Sequence, residues 1–258
     1  MGFQGQSRSQ YSQRTTRPLG RIILKPKIDH FYLILTNAKF KQLKKLAQVN
    51  PEIVHKEVKS GNETWEGIYI PSKSGLYLEL LKPDSTHPPG AMGLAFSALG
   101  KEKNTKKFLE EISLGEKWEE VTKKDKNNKP WFKAYLYPDP ARLWILPWFM
   151  HYNGVPRKER PTRFSKASIK NFPTIEMTVT ASRFKHFEEQ LWWCPLSTVY
   201  QKNKITIISG DTQLIIRKGL KQHFKSIWQL TKSHRWKSLK TADATFKVSN
   251  SRADLSIS

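Results

Sequence analysis

The sequence predicts an α+β protein made of repeated βαβββ modules that form a cupped, mixed and largely antiparallel sheet. Three observations lead there. A strand, helix, strand, strand, strand pattern runs through the chain three times, and repetition at that scale marks one supersecondary unit used again. The strand stretches alternate so that one face is wholly apolar. Each module has a single short helix to cover that face, which is the layering of an α+β fold.

The first copy begins with KIDHFYLILT as a strand and continues with AKFKQLKKLA as a helix, whose Phe40, Leu43 and Leu46 lie three apart. EIVHKEVK, TWEGIYI and GLYLELLK follow as strands, divided by turns at Gly61, Asn62 and Ser72 to Gly75. The second copy reads GLAFSAL, then NTKKFLEEI as helix, then KWEEVTK, WFKAYLY and ARLWILPWF. The third reads TIEMTVT, then SRFKHFEEQL as helix, then STVYQK, KITIIS and TQLIIRK. Beyond His223 only SIWQL and ATFKV look strand-like, with no order assigned to them. The division is therefore a basic, disordered arm over 1–26, two modules over 27–155, a basic linker over 156–171 and an appended α+β unit over 172–258.

Within the first strand, His30, Tyr32 and Ile34 share one face and Phe31, Leu33 and Leu35 the other. In the fourth strand Tyr77, Glu79 and Leu81 oppose Leu76, Leu78 and Leu80. The apolar faces should pack on the helix, which leaves His30, Tyr32, Tyr77 and Glu79 to line the concave side. A histidine nitrogen and a carboxylate there suit a divalent metal (Zn, Fe, Mn or Ni), or an acid and base pair, or a plain hydrogen-bonded pair. The aromatic run of the second copy, which includes Phe132, Tyr135, Trp144, Trp148 and Phe149, reads as core packing or as the floor of a ligand pocket.

DHFYLIL, then ETWEGIYIPSKSGLYLELLKPD, then GAMGLAFSALG resemble the glyoxalase-like branch of the vicinal oxygen chelate superfamily, over about Lys27 to Tyr152 and mainly over residues 28–99. The resemblance implies paired modules around a cup and a small-molecule ligand inside it. In metal-dependent members the first and last strands of each module supply ligands, and the activities are of lyase, isomerase or dioxygenase type. By position, His30 and Glu79 would be metal ligands, with Glu79 also catalytic and Tyr32 and Tyr77 as hydrogen-bond donors. The second copy departs from this pattern, with Gly93 in the place of His30 and Ile145 or Leu146 in the place of Glu79. His151 is the nearest candidate there. In the third copy Thr174 and Ile215 hold those places, and Glu176, on the same strand face as Thr174, is the third metal-ligand candidate.

Charge divides the chain differently. The formal charge is +23, of which residues 1–28 carry +6 and residues 156–258 carry +13, whereas 29–155 is nearly balanced. Runs such as Arg157, Lys158, Arg160 and Arg163, and later bases interleaved with Trp228 and Trp236, point to an anionic partner, either nucleic acid or an acidic protein. The one cysteine, Cys194, reads as a small buried hydrophobe and excludes an internal disulfide and cysteine-rich metal sites. No apolar run reaches the roughly 20 residues of a membrane span, and no phosphate loop, nucleophile elbow or HExxH motif is present. The expected location is the cytoplasm, or an organelle if the Arg- and Ser-rich start is a transit peptide. Three readings stand: a metal-dependent enzyme, a non-catalytic binding module closing within one chain or as a homodimer, and a polyanion binder.

Overall fold

The computed structural model describes residues 26–60, 63–84, 88–97, 102–112, 118–124, 130–137, 145–152, 167–191, 194–231 and 234–258. The arm, apart from residue 26, and the basic run Arg157 to Arg163 lie outside them.

The first module comprises β1 (Lys27–Ile34), α1 (Asn37–Val49), β2 (Val54–Ser60), β3 (Glu63–Pro71) and β4 (Tyr77–Leu81). The second comprises β5 (Met92–Ser97), α2 (Glu102–Ile112), β6 (Glu119–Lys124), β7 (Pro130–Leu136) and β8 (Ile145–Tyr152). Local chemistry sets the helices. The Thr36 hydroxyl accepts from the Lys39 amide at 3.3 Å and caps α1, whose Phe40, Leu43 and Leu46 are buried. Glu102 opens α2 and accepts from Lys133 Nζ at 2.8 Å and the Tyr135 hydroxyl at 2.9 Å, which ties the helix to β7.

Together the two modules make one eight-stranded sheet in the order β2-β3-β4-β1-β5-β8-β7-β6. The two first strands, β1 and β5, meet antiparallel at its centre, while each pairs parallel with the last strand of its own module. The sheet curls until Lys123 of β6 stands over the Trp65 ring of β3, 5.9 Å from its centroid, although these strands lie near opposite ends of the order.

The third module is β9 (Ile169–Val179), α3 (Ala181–Gln190), β10 (Ser197–Gln201), β11 (Lys204–Ser209) and β12 (Thr212–Lys218). Its first strand begins inside the stretch read as linker. The tail is a fourth module, β13 (His223–Leu230), β14 (Leu239–Lys240), β15 (Ala244–Val248) and β16 (Arg252–Ile257), which completes a second sheet in the order β10-β11-β12-β9-β13-β16-β15-β14. That order repeats the first sheet's. Where the other modules have a helix, the described residues between β13 and β14 have none. Trp236 fills the space instead: its indole packs on Trp228 and Phe246 with centroids 5.4 and 5.8 Å apart and donates to the Ser168 hydroxyl at 2.7 Å.

The apolar faces of both sheets share one core. Phe31 of the first stacks on Phe224 of the second, with centroids 6.0 Å apart and planes 7° apart. Helix α1 packs on β15 as well as on its own module. Its Gln42 side chain donates to Asp243 at 2.7 Å and accepts from the Asp243 amide at 3.0 Å. Asn50 accepts from the Lys237 amide at 2.7 Å, and Glu52 accepts from the Ser168 amide at 2.6 Å and from its hydroxyl.

Because the seam is core and not a hinge, Phe31→Ala should cost about 3–5 kcal/mol. In urea, far-UV dichroism and tryptophan fluorescence should then fall together in a single transition, whereas two separate transitions would show that the halves fold independently.

Candidate functional site

The inner face of the first sheet is set by strand register. His30 pairs with Tyr77, Tyr32 with Glu79 and Ile34 with Leu81 across β1 and β4, and Tyr32 also faces Gly93 across β5. The four residues expected on the concave side are therefore brought together on it. Trp148 of β8, Phe132 of β7 and Trp65 and Tyr69 of β3 continue that face. Aromatic rings line it: His30 stacks on Tyr77 at 4.6 Å, and Trp148 stands edge-on to Tyr32 at 5.8 Å and to His30 at 6.2 Å. At the rim the Trp65 indole donates to the Tyr69 hydroxyl at 2.9 Å, and Lys56 lies 4.9 Å above the Tyr69 ring.

Tyr32 occupies the middle of the cup. A Cβ added to Gly93 would come within 1.8 Å of its ring, so the glycine is what lets the ring lie across β5. The tyrosine is buried and its hydroxyl meets no hydrogen-bond partner among the described residues. Burial, and then the charge of Glu79, push its pKa well above the usual tyrosine value. Trp148 is near enough to soften that shift without completing a hydrogen bond. The phenol thus stays protonated and offers an unspent donor beside a carboxylate.

His30 carries its own carboxylate, with Nδ1 3.2 Å from Asp29 Oδ1 and both side chains buried. A histidine oriented by a carboxylate is the arrangement that ligand histidines use. The rest of a metal shell does not assemble around it. Across β5 and β8 the cup presents Gly93, Ala95, Ser97, Leu146, Trp148 and Met150, with no His, Cys, Asp or Glu among them. His151 shares its strand face with the core residue Phe149 and so points away from the cup. Glu176 lies in the second sheet, where it accepts from Arg217 at 3.1 Å. Among the described residues no three His, Cys, Asp or Glu side chains converge as a metal site. A catalytic metal normally takes three protein ligands, so the residues present do not fit one.

The remaining candidates sort cleanly. Of the aromatic run in the second module, Tyr135 and Phe149 are core, whereas Phe132 and Trp148 look into the cup. Trp144 lies outside the described residues. Trp228 and Trp236 are buried and give nothing to stack on. In sequence Gly93 reads only as a missing ligand, and its role beneath the Tyr32 ring goes unseen. The signal for that role is a glycine directly across from an aromatic in the register of paired modules.

The comparisons fit this architecture. No family model and no curated relative matches the chain. Among solved structures, a hypothetical protein from Staphylococcus aureus aligns over 76% of this chain and 87% of its own, at 13% identity and a TM-score of 0.51. That likeness is one of fold. More distant likenesses include methylmalonyl-CoA epimerase from Mycobacterium tuberculosis, at 12% identity over 52% of this chain and 92% of that one, with a TM-score of 0.32. An extradiol ring-cleaving dioxygenase from B. fuscum gives 15% identity, 75% and 53% coverage and a TM-score of 0.39.

Two outcomes follow. Gly93→Ala should lose about 1–3 kcal/mol or more, through overpacking. Combined with Tyr32→Ala it should cost less than the two changes summed, by about 0.5–3 kcal/mol; strict additivity in urea melts would mean that the ring and the glycine do not depend on each other. The second outcome concerns Cys194, whose thiol burial pushes up to about 11. Its ordinary value is about 8.5. The stability it contributes is therefore complete below the ordinary value and lost as pH rises through the folded one. A disulfide reagent at pH 8 should leave the native thiol untouched and label it on unfolding.

Proposed function

We propose that the first sheet is a metal-independent binding module for a small, flat molecule that carries a hydrogen-bond acceptor beside a donor. The observation that carries this reading is the buried Tyr32 hydroxyl, without a hydrogen-bond partner among the described residues and in register with Glu79. A buried hydroxyl left unmade costs about 1–3 kcal/mol, which a ligand oxygen would recover. Glu79, half-buried on the neighbouring strand, accepts from the ligand's N–H or O–H. Tyr77, Trp148 and the upper wall of Trp65 and Phe132 give the ring faces that a planar group packs on. Lys56 and Lys123 at the rim favour a ligand with an anionic or electron-rich end.

The same donor set argues against the metal-dependent lyase, isomerase or dioxygenase chemistry that the family resemblance implies. Gly93 stands at a position where a ligand side chain would be needed, and the Tyr32 ring fills the space over it.

Benzamide is a minimal probe, since its carbonyl suits the Tyr32 hydroxyl and its amide N–H suits Glu79. Saturation-transfer NMR should detect millimolar binding that weakens about 5- to 10-fold in Tyr32→Phe and again in Glu79→Gln. Equilibrium dialysis against Zn²⁺, Fe²⁺, Mn²⁺ and Ni²⁺ should leave no stoichiometric metal on the protein. Stoichiometric metal that disappears in His30→Ala, or benzamide binding indifferent to both substitutions, would overturn the reading.

A further inference from the structure

Among the described residues no helix or strand crosses the outer face of the second sheet. Its buried side chains alternate along β9, where Ile175, Met177 and Val179 enter the core while Thr174, Glu176 and Thr178 face out. Strand register continues that outer face from β11 to β14. Lys204 pairs with Arg217, Arg217 with Thr178, and Thr178 with His223. One step along, Glu176 pairs with Lys225, Lys225 with Ser256, Ser256 with Thr245, and Thr245 with Lys240. Lys247 stands opposite Asp254.

We infer that this face docks the sugar–phosphate backbone of a nucleic acid. Its six cations, Lys204, Arg217, Lys225, Lys240, Lys247 and Arg252, outnumber its two acids. Arg217 is spent on Glu176 at 3.1 Å and Arg252 on Asp254 at 2.7 Å. The four lysines make no ion pair among the described residues. Setting Lys204 directly across from Arg217 works against the sheet, because like charges opposite one another destabilise a strand pair. An anion bridging them removes that cost. From β11 to β14 there are six strand spacings, about 29 Å at ~4.8 Å each. That width suits an extended polyanion, whose phosphates recur every ~3.4 Å along a strand of duplex, better than a small ligand.

Thr174, Thr178, Gln213, Gln229 and Ser256 on this face are of the types that bond phosphate and sugar oxygens, and Ile215 and Ile227 lie between them. No aromatic side chain lies among those outward residues, and the interleaved Trp228 and Trp236 are core. Base stacking is thereby removed, and with it the usual means of holding unpaired bases. An acidic protein is the less favoured partner, since protein interfaces are anchored by aromatics at their centre. The exposed apolar side chains of this face, Val199 and Ile208, sit at its β10 edge.

The test is fluorescence anisotropy of the full chain with a labelled mixed-sequence duplex and with its single strand, across ~50 to ~200 mM salt. Both should bind through their backbones, with affinity that falls steeply as salt rises. The triple variant K204A/K225A/K247A should keep its melting temperature and lower the log–log salt slope by about 3, one for each phosphate no longer neutralised. The N-terminal arm is common to both proteins, so its contribution cancels. A triple variant that binds with the wild-type slope would place the binding surface elsewhere and end the proposal. So would polyglutamate displacing the duplex at equal charge concentration, since that result identifies an acidic protein as the partner. Both outcomes are independent of Tyr32 and Glu79.

Discussion

The shared apolar core is the constraint from which the rest follows. The central strands of both sheets commit one face to it, so each sheet has one face left for chemistry. Phe31 on Phe224, and α1 lying against both sheets, make the two halves one body around that core. Two eight-stranded sheets of identical order, turned outward from a single interior, therefore present two separate working surfaces. The near neutrality of residues 29–155 and the strong positive charge of the C-terminal part describe two different surfaces, not one average molecule.

The surfaces have diverged in opposite directions. β1 is buried along almost its whole length, because a histidine, a tyrosine and an isoleucine fill its inner face as its core face is filled. β9, its counterpart, keeps the alternation of a strand with one side open. In the first sheet aromatic rings line the cup, around a Tyr32 hydroxyl that has no partner among the described residues. The second keeps polar and cationic side chains spread over a broad face, where no single group decides. A small planar ligand suits the first arrangement and a long charged one the second.

Most of the fold was legible because it rests on periodicity. The alternation in KIDHFYLILT and GLYLELLK placed His30, Tyr32, Tyr77 and Glu79 on one face, and the register across β1 and β4 puts them there. Phe40, Leu43 and Leu46 marked the buried side of α1. What sequence could not supply was how modules face each other. Glu176 shares the strand face of Thr174, which holds the place of His30, yet it belongs to a different sheet and ends on Arg217. Trp228 and Trp236 resembled stacking platforms because bases surround them in the chain, although their rings are buried against Phe246. Proximity along the chain reports charge well and burial poorly.

The fourth module shows how a repeat becomes unreadable while its geometry persists. Its recognition depends on the helix between first and second strands, and that helix is absent among the described residues. A sheet half without a helix would expose Trp228, Phe246 and Leu255 to water, at about 1.5–3 kcal/mol for each large side chain. Two substitutes cover them. Trp236 is anchored by its indole bond to Ser168, whose amide and hydroxyl are held in turn by Glu52 just beyond α1. α1 itself reaches β15 and pairs Gln42 with Asp243. The first module thus supplies the cover that the fourth lacks, and replacing that helix binds the two sheets together. The exchange gives the core its single, continuous form, and among the described residues it leaves the outer face of the second sheet free of any element that would cross it.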